Sequence, residues 1–446
     1  MPDQGRSIRL MLATDSYPPF VGGADRQVQY LAHAMRDQGH EVTVVTPWQP
    51  GLPTREDQDG VLVVRVRPLA TRVPWFSRNA GRRHHPPFPD PGTVMAVRRL
   101  LDERRPDVIH TYGWISYSVA LAARRRHARL IISARDYAHI CAVRSFLHSS
   151  GVVCSGPGLS KCTSCAITTY TLDDSGNAVM GRRDLPIRMP HRIRGLGKAI
   201  VAVTSVRLGR PVLLGPLRGL HSVSEFVRDV MDRELLGDAR SRIVHQVIPS
   251  FLVDDEKGEP DAGVMAALPD EPFIMFVGAL TPAKGIWQLL EAYRGMRPGV
   301  PPLVLLGPSF HTSPVDLPPG VRHLGSVSHP TVLAAWDRAM FGVVPSVGAE
   351  TFGNVVTEAL SRGRPVVASA LGGIVDIVVD EESGLLVPPA DVVALTAAMQ
   401  RLVDDPVLRG RLGDGARLRA QRFEAVQVLP RFATLYDDVL TISDVG

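Results

Sequence analysis

The sequence predicts an α/β protein made of two doubly wound domains. Its 446 residues are about three times the length of a typical domain. Short apolar runs alternate with amphipathic stretches, which is typical of βαβ units and parallel sheets. A polar, breaker-rich stretch at 249–272 separates two halves that both show this alternation. With 45% hydrophobic and 21% charged residues, the composition excludes a disordered chain, a collagen and a coiled coil.

The predicted strands are short apolar runs bounded by Gly, Pro or polar residues. In the first half they are Ile8–Ala13, Glu41–Thr46, Val61–Arg67, Val108–His110, Leu130–Ser133 and Ile243–Ile248. In the second half they are Phe273–Val277, Leu303–Leu306, Val321–Leu324, Gly342–Val344, Pro365–Ser369 and Gly384–Val387. The stretch from about Ala24 to Gln38 has apolar residues on one helical face and stops at Gly39, so it predicts a helix after the first strand.

We expect three segments along the chain. Residues 1–250 form an N-terminal domain, 251–425 form a C-terminal domain, and 426–446 form a helix that packs back toward the N-terminal domain. An irregular insertion at about 139–190 interrupts the N-terminal domain and contains all four cysteines. The Pro-rich stretch 72–92 predicts a loop.

The net charge of +5 is unevenly distributed. Residues 1–245 contain 35 Lys and Arg against 21 Asp and Glu, whereas residues 246–446 contain 15 against 24. The basic half is compatible with an ordinary solvated surface, an anionic membrane surface or an acidic substrate. Nucleic acid is not expected, because no binding module is recognised and the basic residues are not interleaved with aromatic ones.

The sequence predicts no membrane-spanning helix and no signal peptide. The most apolar stretch, 199–217, is interrupted by Arg207 and Arg210. The first apolar run, Ile8 to Ala13, is short and has no small-residue cleavage site. We therefore expect a cytoplasmic protein, with the inner face of the plasma membrane as a further possible location.

Gly-rich and chemically active residues follow several of the predicted strands. They are Gly22, Gly23, His110, Arg135, Gly278, Lys284 and Glu350. In open α/β sheets, ligands bind at the carboxyl ends of the strands. Two such edges that face each other predict a cleft between the domains.

The most specific signal is the stretch 350–360. A Gly-containing loop opens a predicted helix, and its free amides suit an anion such as a diphosphate. The loop residues are Phe352, Gly353, Asn354 and Val355. Glu350 precedes the helix and Glu358 lies about one turn inside it. Carboxylates on either side of a phosphate site suit sugar hydroxyl groups; the alternative is a pair of surface acids at a helix start.

These motifs resemble the retaining glycosyltransferases of family 4. Glu350 and Glu358 match the ends of the Glu-x7-Glu motif, and the stretches 361–373 and 382–389 extend the match. Shorter matches lie at 22–25, 39–42, 223–225 and 247–250, so the resemblance covers nearly the whole chain. It implies the GT-B architecture, in which two Rossmann-like domains face each other across a cleft. The C-terminal domain would hold a nucleoside diphosphate sugar, and the N-terminal domain the acceptor.

The resemblance also implies roles for individual residues. Glu350 would contact the hydroxyls of the donor sugar, Glu358 the ribose and Lys284 the diphosphate, unless Lys284 is an ordinary surface residue. The amides at 352–355 would hold the sugar and the phosphate. The glycines expected at the donor site are Gly22, Gly23 and Gly278. No catalytic metal is expected, because basic side chains and helix N-termini stabilise the leaving diphosphate.

Three positions need separate interpretation. Ala279 stands where the family usually has an arginine, and Arg135 stands where it often has a histidine. We hypothesise that Arg135 points into the cleft and supplies the missing charge; the alternative is a structural arginine paired with Asp136. His110 lies at the place of an acceptor-side histidine and is predicted to orient the acceptor or to move its proton. A hydrogen-bonded structural histidine is the alternative there.

All four cysteines fall in the predicted insertion: Cys141, Cys154, Cys162 and Cys165. In a cytosolic chain such a cluster favours a bound metal over disulfides. A closed structural zinc site with four cysteine ligands would fix a segment that has no core of its own. The spacing is not that of a common zinc finger, so free or redox-active thiols and an iron–sulfur cluster stay open. Similar insertions in a subset of these glycosyltransferases support the structural zinc.

The sequence therefore predicts a retaining hexosyltransferase with a nucleoside diphosphate sugar as donor. Its product would be a polysaccharide, a glycolipid or a small-molecule glycoside. The arginine-rich N-terminal half and the segment 191–198 indicate an anionic or lipid-linked acceptor and a peripheral membrane contact. Two alternatives stay open: another GT-B enzyme, such as a sugar-phosphate synthase or an epimerase, and a sugar-nucleotide or carbohydrate-binding protein with impaired catalysis.

Overall fold

The computed structural model describes residues 7–19, 23–72, 85–124, 127–172, 189–253, 258–310 and 313–442. Two largely parallel sheets, each flanked by helices, confirm the predicted α/β fold with two doubly wound domains. Within these ranges, no helix has both the length and the apolar character that a bilayer-spanning segment requires.

The N-terminal domain is built on an eight-stranded sheet. Its strands are β1 (Arg9–Thr14), β2 (Glu41–Pro47), β3 (Arg55–Gln58), β4 (Val61–Val66), β5 (Val108–Tyr112), β6 (Arg129–Ala134), β7 (Leu217–Ser222) and β8 (Val244–Val247). Their order is β3-β4-β2-β1-β5-β6-β7-β8, and β3 alone runs antiparallel to its neighbour. The helices of this domain are α1 (Gly23–Asp37), α2 (Pro91–Arg104), α3 (Ile115–Ala123), α4 (Leu159–Leu172), α5 (Met189–Leu214) and α6 (Glu225–Met231).

Two strands of this sheet were not predicted. The edge strand β3 consists of the polar residues Arg-Glu-Asp-Gln and is half exposed, so it has no apolar run. In β7, Arg218 and Gly219 interrupt the apolar residues. A Cβ atom at Gly219 would lie 2.8 Å from Val439 and 3.0 Å from Ile131, so close packing against this strand requires glycine.

The insertion predicted as irregular at about 139–190 contains helix α4, and helix α5 begins at its end, which corrects that prediction. Helices α4 and α5 lie between β6 and β7 in the chain and pack against each other through a small core. That core includes Cys165, Ala166, Ala199, Ala202 and Val203. Helix α5 also packs closely on α3, since a Cβ atom at Gly209 would lie 2.3 Å from the Tyr117 ring.

The C-terminal domain is built on a six-stranded parallel sheet. Its strands are β9 (Phe273–Val277), β10 (Leu303–Leu306), β11 (Val321–His323), β12 (Ala339–Val344), β13 (Val366–Ser369) and β14 (Gly384–Val387), in the order β11-β10-β9-β12-β13-β14. The helices in this part of the chain are α7 (Ala262–Ala267), α8 (Ile286–Arg294), α9 (His329–Arg338), α10 (Asn354–Ser361), α11 (Ile374–Ile377), α12 (Val392–Asp404), α13 (Pro406–Ala420) and α14 (Ala425–Thr441).

Helix α14 packs on the N-terminal domain, although it follows the C-terminal one in the chain. Its residues Phe432, Leu435 and Tyr436 share a buried core with Leu10 and Leu12 of β1. Burial of such side chains stabilises the fold by about 1.5–3 kcal/mol each. The helix therefore ties the two ends of the chain together.

Direct hydrogen bonds join the two domains beside the strand ends. The Tyr137 hydroxyl donates to the Ala349 carbonyl at 3.1 Å, and the Thr351 hydroxyl donates to the Arg135 carbonyl at 2.9 Å. A third bond runs from the Glu225 amide to the Asp376 carboxylate at 2.7 Å. The first two bonds set the loop that follows β6 against the loop that follows β12, and the third joins α6 to α11.

Candidate active site

A cleft of about 460 Å³ lies between the carboxyl edges of the two sheets. Its N-terminal wall includes Arg26, Gln27, Tyr30, Arg135, Ser250 and Phe251. Its C-terminal wall includes Gly278, Lys284, His329, Glu350, Phe352, Gly353, Asn354, Val355, Glu358 and Arg362. Both walls are thus made of strand ends and the loops or helix starts that follow them, as the parallel sheets require.

The start of helix α10 faces the cleft. Its N-cap, Gly353, has φ of 115°, a conformation that favours glycine. Asn354 and Val355 then form the first turn and line the cleft. The first amides of a helix have no partner within the helix and lie at the positive end of its dipole. This wall is therefore suited to an anionic group.

Two glycines fix the loop before α10. The Gly373 amide donates to the Glu350 carbonyl at 2.7 Å. Gly372 has φ of 63°, and a Cβ atom there would lie 2.3 Å from the same carbonyl oxygen. The glycine pair after β13 therefore allows the close backbone contact that positions Glu350 at the cleft.

Lys284 and Glu350 form an ion pair on the C-terminal wall. The Lys284 ammonium donates to Oε1 of Glu350 at 2.6 Å, and the Ser346 hydroxyl donates to the same oxygen at 2.7 Å. Burial alone would raise the pKa of Glu350, but Lys284 and Ser346 outweigh it and hold that pKa below its usual value. The Lys284 side chain keeps 37% of its surface exposed, and an ammonium has three N–H groups. Lys284 can thus hold Glu350 and still donate to a ligand.

Glu358 has a histidine partner. Nε2 of His329 lies 3.1 Å from Oε1 of Glu358, and both side chains are largely buried. His329 was not predicted as a site residue. It follows β11 as the first residue of α9, so listing the residues after Val321–Leu324, as was done for the other strands, would have found it.

Arg135 lines the cleft, which is the position that its hypothesised role requires. Its guanidinium donates to the Ser250 hydroxyl at 2.7 Å. Asp136 accepts hydrogen bonds from Arg144. Ser250 is held in place by the next residue, Phe251, whose amide and carbonyl both bond to the amide side chain of Gln27.

Basic groups outnumber acidic ones among the described residues of the cleft. Arg26, Arg135, Lys284 and Arg362 line it, against Glu350 and Glu358. Arg26 was also missed by sequence reasoning, although it lies in the first turn after the Gly-rich loop. The excess of positive charge favours an anionic ligand.

His110 does not line the cleft, which corrects its predicted role beside the acceptor. Strand β5 continues to Tyr112, so His110 lies within the sheet and is fully buried under α14. Its Nδ1 lies 3.0 Å from the Tyr436 hydroxyl and its Nε2 lies 2.8 Å from the Ser133 hydroxyl. Burial, with smaller contributions from His221 and Arg135, holds its pKa well below the usual value. His110 is therefore a neutral structural residue and not a proton carrier in the cleft.

The other predicted donor-site residues are placed as follows. Gly278, Phe352, Gly353, Asn354 and Val355 line the cleft. Gly23 is the first residue of α1, and Gly22 lies outside the described residues.

The four cysteines are free thiols, and Cys165 is buried. Burial is the main reason that the pKa of Cys141 rises to about 11, so this thiol stays protonated near neutral pH. Over the described ranges, no three or more His, Cys, Asp or Glu side chains are grouped so that they could hold a metal ion. The residues as placed do not fit a closed zinc site, and zinc stays an untested prediction.

Two regions of the sequence, one in each domain, match models of known protein families. Residues 22–158 match a family described as "Glycosyl transferase 4-like domain", and residues 271–405 match "Glycosyl transferases group 1". The chain belongs to the family 4 glycosyltransferases. Its two matched regions correspond to the two domains of the GT-B fold.

Relatives of this glycosyltransferase match it along most of their length. Glycogen synthase of Mycobacterium tuberculosis is 25% identical over 427 residues, which cover 92% of this chain and 90% of that protein. D-inositol 3-phosphate glycosyltransferase of Jonesia denitrificans is 27% identical over 438 residues, with 90% and 88% covered.

Solved structures show the same fold. Sucrose-phosphate synthase from Thermosynechococcus elongatus has a TM-score of 0.67 and 20% identity, with 98% of this chain and 100% of that chain covered. The Anabaena protein HepE in complex with UDP and glucose has a TM-score of 0.64 and 16% identity, with 97% and 100% covered. These matches confirm the GT-B architecture of this glycosyltransferase.

Proposed function

We propose that this glycosyltransferase moves a hexosyl group from a nucleoside diphosphate sugar to an acceptor hydroxyl and retains the anomeric configuration. The observation on which this depends is the C-terminal wall of the cleft. This concave surface contains the N-terminus of α10, the Lys284 ammonium and the carboxylates of Glu350 and Glu358, each of which has a hydrogen-bond partner. A diphosphate flanked by a sugar and a ribose is complementary to that arrangement.

The donor would bind with its diphosphate against the amides of 353–355 and Lys284. Glu350, held by Lys284 and Ser346, would accept hydrogen bonds from hydroxyls of the transferred sugar. Glu358, held by His329, would accept from the ribose. The HepE structure contains UDP and glucose and one of the solved relatives, a starch synthase, contains ADP, which supports a nucleoside diphosphate as part of the donor.

Retention would follow from attack on the same face from which the diphosphate leaves. Glu350 is a poor covalent nucleophile, because its ion pair with Lys284 lowers its pKa and occupies one carboxylate oxygen. The bond from the sugar to the diphosphate breaks, the bond to the acceptor oxygen forms, and the leaving phosphate oxygen takes the acceptor proton. Lys284, Arg135 and the α10 amides would stabilise the charge that develops on the diphosphate, without a metal ion.

The acceptor would approach from the N-terminal wall. Arg26 and Arg135 make this wall basic, which supports an anionic or lipid-linked acceptor. The names of two relatives point the same way: D-inositol 3-phosphate glycosyltransferase and phosphatidyl-myo-inositol mannosyltransferase both refer to phosphate-bearing compounds.

A panel of nucleotide sugars tests the donor. We expect one of the UDP-, GDP- or ADP-hexoses to raise the melting temperature in a concentration-dependent way and to give a calorimetric binding isotherm. Lys284→Ala should remove that binding, whereas Lys161→Ala, which removes an ammonium outside the cleft, should not. Equal binding by the wild type and the Lys284 variant would contradict the proposal.

Product analysis then distinguishes this function from that of another GT-B enzyme or of a binding protein with impaired catalysis. Incubation with the bound donor and a sugar phosphate or a lipid-linked acceptor should release nucleoside diphosphate, and NMR of the product should show the donor's anomeric configuration. An inverted product would exclude retention. Donor binding without nucleoside diphosphate release across all acceptors would favour a binding protein.

A further inference from the structure

Helix α5 is long, basic and free of acidic residues. Its 26 residues include five basic residues and no Asp or Glu in the sequence. The basic residues are Arg192, Arg194, Lys198, Arg207 and Arg210. Such a composition gives the helix a positive potential.

The outer face of α5 also exposes large apolar side chains. Leu196, Ile200 and Leu208 are 42%, 52% and 71% exposed. Their spacing of four and eight residues places them along one side of the helix. Leu159, at the start of the adjacent helix α4, is 62% exposed.

The inner face of the hairpin does not need these side chains. Helices α4 and α5 pack through Ala166, Ala199, Ala202 and Val203, which are buried. This core does not include Leu196, Ile200 or Leu208, each of which keeps 42% or more of its surface exposed. Large exposed apolar residues next to basic ones are typical of surfaces that contact a membrane or another protein.

We propose that the outer face of the α4–α5 hairpin, defined by Leu159, Leu196, Ile200, Arg207 and Leu208, docks on an anionic lipid bilayer. The apolar side chains would enter the headgroup region, and the Arg207 guanidinium would pair with an anionic lipid phosphate. A second copy of the chain is less complementary, because it would bring two such basic helices against each other. The hairpin would lie on the bilayer and not cross it.

Docking of this hairpin would also orient the cleft. The hairpin is inserted between β6 and β7, and the loop directly after β6 contains Arg135 at the cleft. The N-terminal wall would thus lie close to the bilayer surface, where a lipid-linked acceptor is available. The docking itself does not depend on the proposed reaction.

Vesicle flotation tests the surface. The full chain should float with vesicles of phosphatidylcholine and phosphatidylglycerol, stay behind with phosphatidylcholine alone, and lose binding as the salt concentration rises. The triple variant Leu196→Asn, Ile200→Asn, Leu208→Asn should bind the mixed vesicles about tenfold less. Arg207→Gln should weaken binding by about fivefold.

A matched control lies in the other domain. Val393, Val407 and Leu418 are 80%, 80% and 68% exposed, so their replacement by Asn removes as much exposed apolar surface without touching the hairpin. This variant should float like the wild type. Circular dichroism and thermal unfolding, measured on the same preparations, report whether each variant is folded. If the triple variant does not fold, the vesicle binding of Arg207→Gln and of the single Asn variants tests the docking surface.

Three results would overturn the proposal. They are equal flotation with neutral and anionic vesicles, unchanged flotation of the triple and Arg207 variants, and a dimer in solution that the triple variant abolishes without any vesicle binding. The last result would assign the face to a second copy. If the wild-type protein floats with anionic vesicles but binds no nucleotide sugar, the proposed reaction is contradicted and the docking surface is supported.

Discussion

The two domains place their polar side chains differently. Among the described residues, the buried polar side chains of the C-terminal domain are all Ser or Thr, whereas the N-terminal domain also buries His, Asp, Gln and Arg. In the C-terminal domain, charged groups lie at the strand ends, where they form the cleft. In the N-terminal domain, hydrogen-bonded side chains lie within the sheet itself. Both domains therefore contribute polar groups to the cleft, but only the N-terminal domain also buries His, Asp, Gln and Arg side chains among the described residues.

A directed chain of hydrogen bonds crosses the N-terminal sheet. The Ile248 carbonyl can only accept, so Nε2 of His221 donates to it at 2.7 Å, and Nδ1 of His221 accepts from the Ser133 hydroxyl at 2.6 Å. Ser133 in turn accepts from Nε2 of His110, whose Nδ1 accepts from Tyr436. Both histidines must be neutral for this arrangement. The chain connects α14 to the sheet with bonds between segments far apart in sequence.

The largest expected effect concerns the C-terminal site. Lys284→Ala removes the proposed diphosphate contact and leaves the partly buried Glu350 carboxylate without its ion pair. We expect kcat/KM to fall by about 100-fold or more and the free energy of unfolding to fall by about 2 kcal/mol. Steady-state kinetics and denaturant unfolding measure the two quantities. Adding Glu350→Gln should restore stability but not turnover; recovery of turnover would contradict the assigned role of Lys284.

Acid should destabilise the N-terminal domain more than the C-terminal one. Burial lowers the pKa of His85 to about 4 and that of His221 to about 3. The unfolded chain binds these protons near pH 6.5 and the folded chain does not, so stability is full above pH 6.5 and falls as the pH drops toward 4. The loss should reach about 3 kcal/mol for His85 alone.

Calorimetry at pH 7 and pH 5 checks this difference, with a bound nucleotide identifying the transition of the C-terminal domain. Asp15 opposes the trend, because burial raises its pKa to about 6 and its protonation favours the folded state below that pH. Asp15→Asn should therefore steepen the acid sensitivity. Equal shifts of both transitions would contradict the comparison.

Arg135 provides a test on the boundary between the domains. If it supplies the charge that Ala279 does not, Arg135→Ala should lower kcat/KM by about tenfold to 100-fold, the effect of one charge-assisted contact. Ala279→Arg in the same chain should recover most of the loss. Arg55→Ala, which removes a surface arginine paired with Glu103, is the control. Full activity of the Arg135 single variant would exclude the compensation.

The smallest expected effect is at His329. His329→Ala removes the hydrogen bond that holds Glu358, so donor affinity should fall by about fivefold while kcat stays near its original value. Isothermal titration and steady-state kinetics distinguish the two. His148→Ala, at a partly exposed histidine of the insertion that bonds to Ser150, should change neither. A fall in kcat alone would indicate that Glu358 acts on the reacting sugar instead of the ribose.

Sequence reasoning predicted the C-terminal domain more closely than the N-terminal one. Three of its strands, Phe273–Val277, Leu303–Leu306 and Gly384–Val387, have the predicted bounds, because each is a continuous apolar run in a sheet covered on both faces. The residues of 350–358 were found for a related reason: a helix start and the acids beside it lie within a few residues of sequence. The polar strand β3 and the interrupted strand β7 gave no such signal.

The sequence by itself determined the two-domain α/β fold, the helix start at Gly353 and the cleft residues Lys284, Glu350 and Glu358. These features depend on local spacing and on periodicity, which a single chain displays directly. Tertiary structure decided that His110 is buried under α14, that Arg135 donates to Ser250 at the cleft, and that His329 holds Glu358. Each of these outcomes depends on which distant segments meet, and burial and hydrogen-bond geometry exist only after they have met.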